Sequence, residues 1–378
     1  MKYFIYIALI IALTSSCQQS STKTKKQDLP QQSLTLKYAK WFKIKYYDNY
    51  KEIIVLNPWT KEVYWKYHLY KKKLITDSQG NFSILTYPHK AAVLSGTQIG
   101  MFNKLSILKE ITSIANVNYI YNSSIRASVK NGEINEWGDG ATLNTEKAYL
   151  SQVDIVFSTA WDKIDPQLLK LINMGIPVAF VMDWQEDSPL ARAEWIKFVA
   201  VFYDMEEQAD SIFNKIEQQY LSLKEISIKS PNRPSVFHGT LMSGTWYIAG
   251  GKSFMAQFYA DANANYLWEN DSTTGSLPLN FEAVFEKAKD ADYWINSSSF
   301  SSCNDFLAED NRYTFFKAFK DCNIYSNGVI SNSKYPSNFW EEGSINPDKV
   351  LKDIISILHP QLFPKHRLQY FRDIKKEN

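Results

Sequence analysis

The chain has 378 residues, 45% of them hydrophobic and 15% aromatic, and its 42 Lys and Arg against 40 Asp and Glu leave a formal net charge of +2. That balance gives no electrostatic footprint for nucleic acid. The length accommodates two lobes or domains. Beyond the N-terminus no apolar run approaches the ~20 residues that a membrane-spanning helix needs.

Lys2 precedes an unbroken apolar run over residues 3–13, and Thr14-Ser15-Ser16-Cys17 follows. A basic start, a short apolar core and small residues before a cut site describe a secretory signal. The Cys that closes the stretch points to a bacterial lipoprotein signal, with residues 1–16 removed and Cys17 acylated as the first mature residue. The match to a lipobox departs in one respect, because Leu13 stands four residues before the Cys rather than three. A plain signal peptide with an incidental Cys is the other reading. Residues 17–35 comprise that Cys and a segment dominated by Gln, Ser, Thr and Lys, too polar for a core, which reads as a flexible tether. The expected location is the periplasmic face of a membrane, held by the lipid alone.

Residues 38–70 are rich in aromatic and β-branched side chains, interrupted at Asp48-Asn49 and Asn57-Pro58. This predicts a small antiparallel meander. From Ala91 the texture changes: apolar runs at 91–94, 114–117, 153–157 and 177–182 alternate with amphipathic stretches. Strands spaced by helical patterns imply βαβ units and a parallel sheet. Ser188-Pro189 is a cap followed by proline at the first helical position. Trp195, Phe198, Val199 and Phe202 follow at helical spacing. Asp204 and Glu207 have the spacing of an N-cap and its reciprocal acid, and Ala209, Ile212, Phe213, Ile216, Tyr220 and Leu223 form one apolar stripe. A helix of about six turns is therefore expected over 205–226.

A second α/β series follows the Pro-rich stop at 230–234, with strands expected at 235–238, 245–249, 293–296 and 323–326. A last helix is capped by Asn346-Pro347 and runs to about residue 358. The fold class expected is α/β: an N-terminal lobe over 36–187 that includes the meander, linking helices over 188–230, and a C-terminal lobe over 231–378. The long helix lies between the lobes or packs on one of them. The halves echo each other. Asn144-Thr145-Glu146 and Asn280-Phe281-Glu282 each open a helical stretch that feeds an Asp-containing apolar strand, although Asn at a cap and Glu in a first turn are favoured anyway.

Several aromatic residues fall where strands are expected to end. Trp161 follows the 153–157 run, Trp184 follows 177–182, Trp246 precedes a Gly-Gly turn, and His238 ends the 235–238 strand. In an interlobe cleft such rigid faces would bury much ligand area at little rotamer cost; burial in a core is the alternative for each. Enzyme signatures fail. Gly250-Gly251-Lys252-Ser253 imitates the end of a phosphate loop, but Trp246 stands where its first Gly belongs. Ser106-Ile107-Leu108-Lys109 has no Lys-Thr-Gly partner. The histidines lack zinc-ligand spacing, so no metal site is expected. Besides Cys17, only Cys303 and Cys322 occur, and in an oxidising compartment these two could pair.

In combination these stretches resemble the helical-backbone class of periplasmic binding proteins, which serve ABC importers of iron–siderophores, haem and cobalamin. Val93-Leu94-Ser95-Gly96-Thr97-Gln98 resembles the first strand and turn of the N-lobe. Gly138-Asp139-Gly140 through Leu143-Asn144-Thr145-Glu146 resembles the glycine-rich turn and glutamate helix. Thr245-Trp246-Tyr247-Ile248-Ala249-Gly250-Gly251 resembles the segment opening the C-lobe pocket. Phe339-Trp340-Glu341-Glu342-Gly343 with His359-Pro360 resembles the C-terminal end of Bacteroidetes-type lipoproteins of this kind. The likeness covers about residues 91–363. It implies two Rossmann-like lobes joined by a backbone helix, and a binding role without catalysis or an intrinsic cofactor. It further implies a monomer that hands a metal chelate to a permease. An iron–siderophore is the leading ligand, followed by cobalamin and by haem with His238 as its axial candidate. Glu146 and Glu282 match the glutamates that dock on permease arginines. A surface lipoprotein that stacks glycans on its aromatics, and a hydrolase with a site assembled from distant residues, are the rival readings.

Overall fold

The computed structural model describes residues 30–71, 82–85, 87–138, 142–295, 302–327 and 337–374. The signal, Cys17 and Asp139-Gly140 lie outside the described residues.

The meander consists of β1 (Gln32–Ser33), β2 (Phe42–Tyr46), β3 (Tyr50–Leu56), β4 (Val63–Tyr70) and β5 (Phe82–Leu85). Its first four strands pair antiparallel in sequence order, and β5 joins β4 in parallel. Alternation in β2 buries Phe42 and Ile44 and exposes Lys43, the period of a strand with one face on a core. That face packs on the rest of the chain. The ring of Phe42 lies 4.6 Å from Trp195, and the Tyr67 hydroxyl accepts the amide of Phe180 at 2.8 Å.

The N-lobe sheet holds β6 (Ala91–Val93), β7 (Ile111–Ile114), β8 (Asn135–Glu136), β9 (Ile155–Thr159) and β10 (Val178–Val181) in the order β10-β9-β6-β7-β8. All its pairs are parallel. Helices α1 (Gly96–Lys104), α2 (Ser123–Lys130), α3 (Thr145–Leu150) and α4 (Pro166–Asn173) make the crossovers. All four residues of β10 are buried, as a sheet covered on both faces requires. The strand expected at 114–117 is shifted to Ile111–Ile114. The Asn116 side chain accepts the Asn118 amide and turns the chain out of the sheet there.

Three helices link the lobes: α5 (Pro189–Glu194), α6 (Ile196–Val201) and α7 (Glu206–Ser227). Every residue of α5 and α6 is buried. Asp204 is not the cap of α7, contrary to its spacing with Glu207: it sits at φ 51° with its carboxylate on Lys51, and Met205 holds the cap position without a side-chain bond. Ala209 and Phe213 of α7 are buried in the N-lobe core, whereas Ile216 and Tyr220 are buried in the C-lobe core. The helix therefore spans the two lobes.

The C-lobe sheet has the order β14-β11-β16-β17-β18, from β11 (Ser235–His238), β14 (Asn265–Tyr266), β16 (Tyr293–Ile295), β17 (Ile324–Ser326) and β18 (Arg372–Asp373). Only β18 within it runs antiparallel to its neighbour. Residues 245–249 do form a strand, but not in this sheet. β12 (Leu241–Met242), β13 (Thr245–Ala249) and β15 (Ser276–Leu279) build a separate antiparallel sheet. The helices are α8 (Phe254–Asp261), α9 (Phe281–Ala288), α10 (Cys303–Glu309), α11 (Lys317–Lys320), α12 (Asn338–Glu341) and α13 (Pro347–Leu358).

A second brace joins the lobes through α12. A Cβ on Gly100 of α1 would fall 1.8 Å from the Glu341 carbonyl oxygen, so only glycine lets these backbones meet. Glu341 also accepts the Tyr121 amide at 2.7 Å, and Ile345 is buried in the N-lobe core. The bridge that Cys303 and Cys322 could have formed is absent. Cys303 is buried at the start of α10, with its sulfur toward the Ile374 carbonyl, whereas the Cys322 sulfur faces the Lys320 carbonyl at the chain surface.

Candidate functional site

A cleft of about 670 Å³ opens between the lobes, within the range of small-molecule sites. Its walls come from the loops after β6, β9 and β10 on one side and after β11 and β17 on the other, with Ser95, Thr159, Asp183, His238 and Asn327 at these positions. In both sheets these are the carboxyl ends of the strands. The first strand of each lobe has a neighbour on both sides, β9 and β7 about β6 and β14 and β16 about β11, so its loop stands where the strand order reverses, the place where open α/β sheets bind ligands. A second groove of about 720 Å³ runs between the meander and the start of α7, but Lys51, Asp204 and Glu206 in its wall already pair with one another.

The charges in the cleft cancel. Arg192 of α5 donates to Asp183 at 3.0 Å, both nearly fully buried, and its guanidinium lies 4.3 Å from the Phe254 ring of the opposite lobe. These two are the charged side chains among the described residues of the wall. His238 stands at the end of β11 with Nδ1 2.9 Å from the Tyr259 hydroxyl. Burial lowers its pKa to about 4, so the imidazole is neutral at physiological pH. Two buried donors in the wall, Arg192 Nε and Asn327 Nδ2, have no acceptor among the described residues. Among the described residues no group of three His, Cys, Asp or Glu is placed to hold a metal ion.

The sequence-predicted aromatics separate. Trp184 lines the cleft, its indole fixed by donation to the Ala160 carbonyl at 3.0 Å. Trp161 is exposed beside it, ring centroids 4.5 Å apart, outside the wall itself. Trp246 does not line the cleft: it is fully buried against Trp294, Phe237 and Tyr313. Strand alternation in β13 turns Trp246 inward and Tyr247 outward, and Tyr247 takes the place in the wall. Trp246 still serves the site from behind. Its Nε1 donates to the His238 carbonyl at 2.9 Å, while Trp294 donates to the Gly239 carbonyl at 2.8 Å. Gly239 is at φ 80°, and a Cβ there would meet the Tyr247 carbonyl oxygen at 2.5 Å. Arg192, Asp183, Tyr247, Asn327 and Trp340 are wall residues that sequence reasoning missed. The period-2 pattern of 245–249 was the one available signal, for Tyr247.

Glu146 and Glu282 are both exposed, each in the first turn of its helix, α3 and α9. The Asn caps before them behave alike: Asn144 accepts the Lys147 amide and Asn280 the Ala283 amide, both at 2.8 Å. Glu282 is engaged by Arg312 at 3.1 Å on the surface.

A family model described as periplasmic binding protein matches residues 92–328. The chain belongs to this family. The solved structures similar to this periplasmic binding protein share its fold. A periplasmic haem-binding protein of Pseudomonas aeruginosa aligns with a TM-score of 0.57 at 14% identity, over 77% of this chain and 99% of that one. A protein of Staphylococcus epidermidis, described as a possible iron-binding periplasmic solute-binding protein, aligns at 0.56 and 18%, over 72% and 99%. An uncharacterized lipoprotein of Methanocaldococcus jannaschii is 26% identical over 99% of this chain and 96% of its own. The family match begins at β6, so the meander lies outside it. Among the described residues no helix is long and apolar enough to cross a membrane.

Proposed function

We propose that this periplasmic binding protein, anchored through a lipidated Cys17, captures a bulky metal chelate in the interlobe cleft and delivers it to an ABC permease that docks on Glu146 and Glu282. The observation that carries the ligand class is the charge balance of the wall. With Arg192 committed to Asp183 and His238 neutral, no described side chain remains to neutralise a strongly anionic guest. The two buried donors without acceptors favour a ligand that presents carbonyl, amide or hydroxamate oxygens, since each such donor left unmet costs about 1–3 kcal/mol. An uncharged ferric hydroxamate siderophore fits both features, and a corrinoid, with peripheral amides, fits them next best. Haem carries two propionates that meet no unpaired cation among the described wall residues, although His238 and Tyr247 are axial candidates in the wall. The likeness to haem- and iron-binding proteins supports a metal chelate without choosing among these.

The test is binding by the mature chain to a ferric trihydroxamate, cyanocobalamin, iron(III) protoporphyrin and an oligosaccharide panel. The reading expects saturable binding of the hydroxamate or the corrinoid. A Soret shift with the porphyrin alone would replace the ligand, and binding of oligosaccharides alone would replace the class.

A further inference from the structure

All 11 tryptophans lie among the described residues, and three are exposed: Trp59, Trp161 and Trp340. None is remote from the cleft. Trp340 lines it, and the other two flank Trp184, itself a wall residue. Trp59 comes from the β3–β4 connection of the meander, its ring 6.0 Å from that of Trp184. Three rings from three separate segments thus form one array that starts inside the cleft and continues outward over the rim.

The connection that carries Trp59 is built and docked. Asn57 Oδ1 accepts the amides of Trp59 and Thr60 at 2.8 and 3.1 Å, and its Nδ2 donates to the Asp162 carbonyl at 3.3 Å, beside Trp161. Lys61 closes the far side over the Trp41 ring at 4.0 Å. Leaving two indoles about half exposed on a loop so fixed keeps apolar area in water that folding alone would bury.

We propose that the meander extends the ligand site: Trp59 and Trp161 form an aromatic platform outside the cleft that holds a flat or apolar portion of the ligand protruding past Trp184. This rests on the chelate-binding reading above. Rings of this kind offer stacking faces at low entropy cost, and continuity through Trp184 ties the platform to the cleft rather than to a separate partner. Trp59 belongs to a part of the chain outside the family match, so its half of the platform would give this protein a selectivity that the two lobes by themselves do not encode.

The test titrates the mature full-length chain and its Trp59→Ala, Trp161→Ala and Trp59→Phe variants with the ferric trihydroxamate, cyanocobalamin and iron(III) protoporphyrin. Tryptophan fluorescence and calorimetry are the readouts. Each alanine variant is expected to weaken the bound probe about fivefold, with Trp59→Phe close to the parent chain. Affinity unchanged in both alanine variants, while Tyr247→Ala in the cleft weakens it, overturns the platform and leaves the chelate reading intact. Trp59→Phe as weak as Trp59→Ala, with a lowered melting temperature, shows a structural role and also overturns it. No binding of any probe to the parent chain overturns the chelate reading and the platform's occupant with it.

Discussion

Phe213 and Ile216 stand three residues apart on α7, yet the first is buried in the N-lobe core and the second in the C-lobe core. Residues three apart share a helix face, so one rigid stripe is shared between two hydrophobic cores. Bending α7 at this point would open one core or the other. Phe213→Ala is expected to cost about 3–5 kcal/mol and Ile216→Ala about 2–5 kcal/mol. Both should shift one common unfolding transition, followed by denaturant titration. Two resolved transitions, each responding to one substitution, would show that the lobes fold independently of the bridge.

Asn327 Nδ2 is a buried donor with no acceptor among the described residues, at the cleft wall after β17. Removing an unmet donor relieves its desolvation cost, whereas removing a ligand contact weakens binding. Asn327→Ala should therefore leave the melting temperature of the ligand-free chain unchanged or raised, while lowering chelate affinity about tenfold. Calorimetry together with a thermal melt checks both signs.

Glu194 and Glu186 hold the entry of the meander. Glu194 accepts the amides of Lys37, Tyr38 and Ala39, and Glu186 those of Lys40 and Trp41 together with the Trp195 indole. Burial outweighs these donors at Glu186 and raises its pKa from 4.5 to about 7. A carboxyl raised on folding binds more protons in the native state than in the unfolded one across that interval. Its effect is therefore a loss of stability as pH rises from about 4.5 through about 7, of about 3 kcal/mol. Burial raises Glu341 to about 7 as well and acts in the same sense. Glu186→Gln should match the parent chain at about pH 4 and exceed it in stability at about pH 8. Equal stabilities at pH 8 would place the Glu186 proton elsewhere.

For docking, reversing both Glu146 and Glu282 to Arg should abolish uptake in cells and leave chelate affinity within about twofold. The Arg312 partner of Glu282 is no obstacle, since exposed pairs contribute about 0–1 kcal/mol and exchange readily. Uptake that survives the double reversal removes both glutamates from the permease contact.

The elements most legible in the sequence were those whose pattern one packing rule decides. The stripe from Ala209 to Leu223 gave α7 to within a residue, and Ser235–His238 and Pro347–Leu358 were found at their expected starts and ends. What failed depended on tertiary context. The spacing of Asp204 and Glu207 cannot reveal that Asp204 takes positive φ and pairs with a meander lysine. The turn after Trp246 suggested a surface position, because an isolated run does not say that 245–249 leaves the parallel sheet for a hairpin with one buried face. The wall itself was least legible. Asp183, Arg192, Asn327 and Trp340 come from four separate segments, and their relation exists only once both lobes are in place.

The central claim is that α7 and α12 hold the lobes at one separation whether or not the cleft is filled. Spin labels at Glu146→Cys and Glu282→Cys, with Cys303 and Cys322 replaced by Ser, would report that separation by dipolar spectroscopy. One narrow distance is predicted, changing by less than about 2 Å when a bound chelate saturates the cleft. A larger shift, or two distances whose populations exchange on adding the chelate, would contradict a fixed bridge.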